Sequence, residues 1–235
     1  MNVDCVAQVE RLGAECDACR TAPLADPGPG GQRKGDWMQT ASGRQYWPLD
    51  PRPEDVDADD IAHHLSLICR FNGAVRTFYS VAEHSVGVLE VLEKDMQRHG
   101  VDIDNGVARQ YRLAALLHDG SEAYCHDIIR PVKRHLPGYA EVERLNMGAI
   151  SDRFGLPLLS ELDASRIKHA DNAMLLAEQA VLMAPSPHEW APLDVPPPML
   201  EDALVFVRRN RGDTMLPPHD AKAMFRAELF GLLEP

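Results

Sequence analysis

Apolar residues recur along most of this chain at helical spacing, with turn and cap signals between them. Asp57 caps a segment expected to run over 57–69, with Ile61, Leu65 and Ile68 on one face. Ser80-Val81-Ala82-Glu83 has the form of a capping box, in which Ser80 accepts from the backbone amide of Glu83 and the glutamate reaches back. It launches a helix over 80–99 whose apolar positions include Val81, Val88, Leu92 and Met96. A central helix is expected over 107–124. Another covers 139–154, with Val142, Leu145, Ala149 and Ile150 inward and Gly155 as terminator. The next, over 164–183, builds its face from Ile167, Met174, Leu175 and Leu182 and stops at Pro185. Residues 200–207 read as a short helix or strand. Residues 220–233 read as an amphipathic helix with Asp220, after Pro217-Pro218, as its N-cap. Residues 43–53 are extended and proline-punctuated. Strand alternation does not persist and no repeat is visible, so the expected class is all-α.

Composition divides the chain further. Residues 1–37 read as an extension and linker, ending in PLADPGPGGQRKGD, with recognisable structure beginning at Met38. Residues 38–185 form the expected domain, and 186–235 a proline-rich segment and C-terminal helix packing on it. Cys16 and Cys19 form a CxxC with Cys5 upstream, but without a second ligand pair the zinc signal is weak.

The 235 residues are 45% hydrophobic and 26% charged, which suits a globular chain with a sizeable core. A formal net charge of −12 argues against coating DNA or RNA, which needs a basic face, but not against a small anion held by local Arg or Lys. No apolar run approaches a membrane span, so no membrane partner is expected. The amino terminus lacks a signal-peptide pattern, and five cysteines point to free thiols in a reducing compartment. A cytoplasmic location is expected.

The candidate chemistry gathers in residues 113–131, LAALLHDGSEAYCHDIIRP. A nearly continuous apolar stretch, Leu113–Leu117, passes without a linker into His118-Asp119, then Glu122 and Asp127. Ionisable groups beside a core are costly unless paired or metal-bound, and a divalent ion is the simplest common partner. His84 lies on the first turn of its helix, and Asp171 interrupts the apolar stripe of 164–183, where Asp is rarely buried unpaired. The His63-His64 pair reads as surface or core-edge. Two imidazoles and two carboxylates suit one divalent transition metal (Zn, Mn, Fe, Co or Ni) better than Mg or Ca.

Four segments in order, ICRFNG (68–73), FYSVAEHSV (78–86), LLHDGSEAYCHDIIRPVK (116–133) and KHADNAMLLAEQ (168–179), resemble the HD-domain phosphohydrolases. The likeness is to the branch of 5′-deoxynucleotidases and phage deoxynucleoside-triphosphate triphosphohydrolases, some of which remove dATP. Their H…HD…D motif corresponds here to His84, His118-Asp119 and Asp171, and leaves His126 outside the metal set. The resemblance implies an HD-type helical bundle with a central metal site, a deoxynucleotide as small-molecule partner, and a homo-oligomer. It further implies that Glu122 orients or deprotonates water and Asp127 protonates the leaving 5′ oxygen. Arg70 would bind phosphate or sugar, and Phe71 would pack near deoxyribose or base.

The basic run Arg130, Lys133 and Arg134, with Lys168, could hold the outer phosphates of a triphosphate, with additional Mg on those phosphates. The same charges could equally face solvent. A triphosphohydrolase is therefore the favoured expectation, with a monophosphate-specific 5′-deoxynucleotidase or a non-catalytic nucleotide-binding module as alternatives. A cyclic-nucleotide or (p)ppGpp hydrolase fits the quoted segments less well.

Overall fold

The computed structural model describes residues 33–209 and 216–234. Cys5, the CxxC at Cys16–Cys19 and the short helix expected near residues 3–12 lie outside the described residues. Within them a small antiparallel hairpin pairs β1 (Met38–Gln39) with β2 (Gln45–Tyr46), Met38 facing Tyr46. Nine helices follow: α1 (Ala58–Leu67), α2 (Val81–Arg98), α3 (Gly106–Leu116), α4 (Glu122–Cys125), α5 (Arg130–Lys133), α6 (Tyr139–Phe154), α7 (Glu161–Leu182), α8 (Pro197–Arg209) and α9 (Pro218–Leu233). The chain is mostly helical. Among the described residues no helix is long and apolar enough to cross a membrane.

Helix α2 is the hub, packing on α1, α3, α7, α8 and α9. Its first three turns are buried almost all round, from Val81 to Leu89, as the near-absence of a polar face there requires. Ser80 starts it by accepting a bond from the Glu83 amide at 3.1 Å. The helices approach most closely at Gly87, where a Cβ would lie 2.4 Å from Met174 Cε and 2.9 Å from Phe206 Cε1. Helix α8 covers α7 and α2, and α9 covers α1, α2 and α3, so Met199, Phe206 and Phe225 share one core with Ile61 and Leu92.

Helix α1 starts where expected, with Asp57 accepting from the amides of Asp59 and Asp60 at 2.9 and 3.2 Å. Gly155 ends α6 in the left-handed conformation, also as expected. Asp60 then ties down the hairpin, taking 2.7 Å bonds from both the amide and the hydroxyl of Ser42. Tyr46 stacks on Tyr124 at 3.7 Å and donates to Asn146 at 2.6 Å.

Four expectations are corrected. The helix expected over 107–124 is two: α3 ends at Leu116 and α4 begins at Glu122, with turns between. Gly120 lets the chain fold back there, since a Cβ would meet the Leu117 carbonyl at 3.0 Å and Ile150 at 3.3 Å. Asp220 is not the N-cap of α9; Pro217 is, and Asp220 sits in the first turn, where its charge favours the helix dipole. Val142 and Leu145 are only half-buried, because the inward position of α6 is taken by Asn146. Contacts with the domain begin before Met38: buried Arg33 lies over the Trp47 ring and pairs with Asp55 at 2.8 Å.

Candidate metal centre

Three elements converge on one corner of the bundle. His84, fully buried, projects from the first turn of α2. His118 and Asp119 occupy the turn after α3, which is closed by i→i+3 bonds from Gly120 to Leu117 (2.8 Å) and from Glu122 to Asp119 (3.0 Å). Asp171 comes from the middle of α7, one turn after buried Ile167. Helical continuation would carry His118 and Asp119 away from each other, whereas the tight turn sets His118 Nε2 and Asp119 Oδ2 3.1 Å apart.

Ligand atoms of His84, His118 and Asp119 all lie within 4.8 Å of one another, so this group could hold a metal ion. His84 Nε2 is 3.7 Å from Asp119 Oδ2 and 3.3 Å from Asp171 Oδ1, which brings the fourth expected ligand to the same corner. The Nδ1 atoms are already engaged. His84 Nδ1 meets Glu178 Oε1 at 2.7 Å, and His118 Nδ1 meets the Ala115 carbonyl at 2.9 Å. Both anchors are acceptors, so each ring donates from Nδ1 and turns its Nε2 inward as the atom a metal would take. Neither buried Nε2 makes a well-formed hydrogen bond among the described residues. Two orphaned imidazole nitrogens facing two carboxylates fit a divalent cation, and the nitrogen content favours a transition metal.

The electrostatics agree with that fit. Burial and Arg70 push the His84 imidazole down, but Glu178 and Asp171 outweigh them and raise it to about 9. With no ion bound, these carboxylates keep an extra proton on the His84 ring, and ligation would displace it. Burial works against ionisation of Asp119, but His118 overrides it; at Asp171, His84 does the same. Both stay well below the usual carboxylate range. Glu122 goes the other way: burial, Asp119 and Asp127 raise it strongly. Asp127 is raised as well, by burial and then Asp119 against the pull of Arg70.

A cleft of about 680 Å³ opens from this corner. It is lined by every residue expected to act there outside the two histidines: Arg70, Phe71, Asp119, Glu122, Asp127, Arg130, Lys133, Lys168 and Asp171. The basic side chains are partly engaged. Lys168 Nζ and Arg130 Nη2 approach Asp171 Oδ2 at 2.5 and 3.4 Å, and Lys133 pairs with Glu143. Backbone φ is positive at Phe71 (56°), which lines the cleft, at its neighbour Asn72 (52°), and at His126 (71°) next to cleft-lining Asp127, a feature that concentrates at functional sites. His126 is exposed and is not in the group whose ligand atoms meet. His64 accepts from the Ala41 amide and contacts the Ala123 carbonyl, a structural role.

No protein-family model matches the chain. An uncharacterized protein of Rhodobacter capsulatus is 36% identical over 203 residues, which is 84% of this chain and 95% of the relative. This chain belongs to the same family. The uncharacterized protein YfdR of Escherichia coli, 33% identical over 158 residues, matches 67% of this chain and 79% of its own length.

In this member of the family, two residues of the corner escaped the sequence reading. Glu178 is fully buried, with Oε1 on His84 and Oε2 on Arg70 Nε at 3.0 Å. Its signal was present: it follows Asp171 by seven residues, two turns along the same face of α7, and is likewise a carboxylate in an apolar stripe. Trp190, from the proline-rich segment, lines the cleft beside Phe71. Nothing in the spacing of that segment pointed to it.

Proposed function

We propose that the protein is a metal-dependent phosphohydrolase of the HD-domain type, cleaving the 5′ phosphoester of deoxynucleotides. Deoxynucleoside triphosphates are the favoured substrates, with deoxynucleoside and inorganic triphosphate as products. The observation that carries this reading is the meeting of His84, His118, Asp119 and Asp171 at a cleft that is also lined by Glu122, Asp127 and the buried Arg70. When bound there, a divalent ion supplies charge to phosphoryl oxygens and acidifies water.

The chain's own side chains account for the remaining requirements. Arg70 stays charged despite burial, because Glu178, Asp119 and Asp171 surround it; it presents a fixed guanidinium to an anionic group in the cleft. Glu122 and Asp127 form the proton-handling pair. Water oxygen bonds to phosphorus as the bond to the 5′ oxygen breaks. One carboxyl takes the water proton and the other protonates the departing alkoxide, which is otherwise a poor leaving group. Arg130, Lys133, Arg134 and Lys168 line the same cleft and supply charge for outer phosphates.

The engagement of Arg130 and Lys168 with Asp171, and of Lys133 with Glu143, favours a second reading in which only a monophosphate is held. Incubation with each deoxynucleotide and a series of divalent ions, followed by ³¹P NMR, separates the two. Triphosphate as product supports the first reading and orthophosphate from monophosphates the second. Binding without turnover under every ion would overturn both.

A further inference from the structure

The cleft lining is chemically mixed. Beside its carboxylates and basic side chains it holds an aromatic pair: Phe71 and Trp190 stand 6.2 Å apart between ring centroids, tilted by 49°, and Leu175 and Leu193 line the same cavity. Phe71 is held in the left-handed backbone region, a conformation costly for a bulky residue that persists where surrounding structure demands it. The Arg70 guanidinium lies 5.4 Å from the Phe71 ring centre and 3.7 Å from Asp119 Oδ2, which places the aromatic pair beside the metal corner. Trp190 remains 38% exposed although it sits in a concave site, so a large aromatic surface is left to be covered.

The segment carrying Trp190 is tied at its start, where Arg76 donates bonds of 3.2 and 2.6 Å to the Met183 carbonyl. Ala191 and Leu193 of the same coil line the cleft with the tryptophan.

We infer that Phe71 and Trp190 form a stacking site for the aromatic base of the substrate, an inference that rests on the nucleotide reading above and adds a recognition element from the proline-rich segment. With a phosphoryl group at the metal corner, the neighbouring aromatic pair is within reach of a planar ring on the same small molecule, and stacking on an exposed indole tolerates any base. Sugar phosphates without a base gain nothing from it.

Two measurements test this. Trp190 emission, isolated as the difference between the wild-type protein and Trp190→Phe, is titrated with the four deoxynucleosides and with 2-deoxyribose as the base-free control. Quenching by deoxynucleosides and not by the sugar is expected; no change with any deoxynucleoside would overturn the site. In turnover, Trp190→Ala lowers the preference in kcat/KM for a deoxynucleotide over 2-deoxyribose 5-phosphate by about 10-fold, largely restored in Trp190→Phe. An unchanged preference would also overturn it. Hydrolysis of nucleotides without a Trp190 signal refutes the stacking site and leaves the hydrolase standing. A Trp190 signal without hydrolysis does the reverse.

Discussion

His84 Nδ1 and Glu178 Oε1 lie 2.7 Å apart, with neither side chain exposed. The same carboxylate takes Arg70 Nε on its other oxygen, so one residue orients a metal-site imidazole and the cation beside it. Glu178→Ala leaves a buried guanidinium without its nearest countercharge, a change that typically costs about 3–5 kcal/mol. It also frees the His84 ring, and metal affinity should fall about 10–100-fold. Glu178→Gln keeps one acceptor oxygen and should lose less of each. Metal titration and denaturant midpoints read the two effects separately; an alanine variant with wild-type metal affinity would remove the orienting role.

Glu122→Gln and Asp127→Asn should each lower turnover about 10²–10⁴-fold while bound metal per chain stays constant. Neither belongs to the group whose ligand atoms meet. Elemental analysis beside steady-state kinetics checks both halves. Near-normal rates in either variant would take that residue out of proton handling.

The hairpin anchor should titrate. Burial raises the Asp60 carboxyl, but bonds from Ser42 and Thr40 bring it below its ordinary value. A carboxyl lowered on folding contributes stability that is complete above its unfolded pKa of about 3.9 and is lost as pH falls through the folded value. Asp60→Asn should therefore be destabilised at neutral pH by about 1–3 kcal/mol. The gap to wild type should narrow in acid below about pH 4. A gap independent of pH, in urea midpoints, would contradict the assignment.

Gly87→Ala should destabilise the bundle by about 1–3 kcal/mol, because the added methyl meets Phe206 and Met174 at the crossing of α2 with α7 and α8. Met174 can swing its terminal methyl aside; the Phe206 ring, 1% exposed, has nowhere to go. Thermal unfolding gives the number, and an unchanged midpoint would show that the helices can separate freely at this point.

The parts of the fold written locally were readable. Asp57 and Ser80 satisfy backbone amides at helix starts, and Gly155 ends a helix, in the way their side chains or lack of one require. The break after Leu116 was hidden because apolar Leu113–Leu117 continues the helical pattern and Glu122–Cys125 resumes it; only Gly120 hinted at the fold-back. Ligand types and spacing marked out His118-Asp119, and Asp171 showed as a carboxylate interrupting an apolar stripe, while His84 needed the resemblance to join them. Glu178, Asn146 and Trp190 depend on tertiary neighbours: what a buried carboxylate or amide bonds to, and which loop crosses a cleft, is decided by packing between distant segments.

The two histidines differ in what carries them. His84 rides on a rod gripped by five neighbours, whereas His118 and Asp119 hang from a short fold-back whose closing bonds span only three residues. Amide exchange should be slowest around the first and quicker at the second. A cation entering the corner would then find unyielding contacts in His84 and in Asp171 on α7, and fine adjustment to ionic radius would fall to the fold-back.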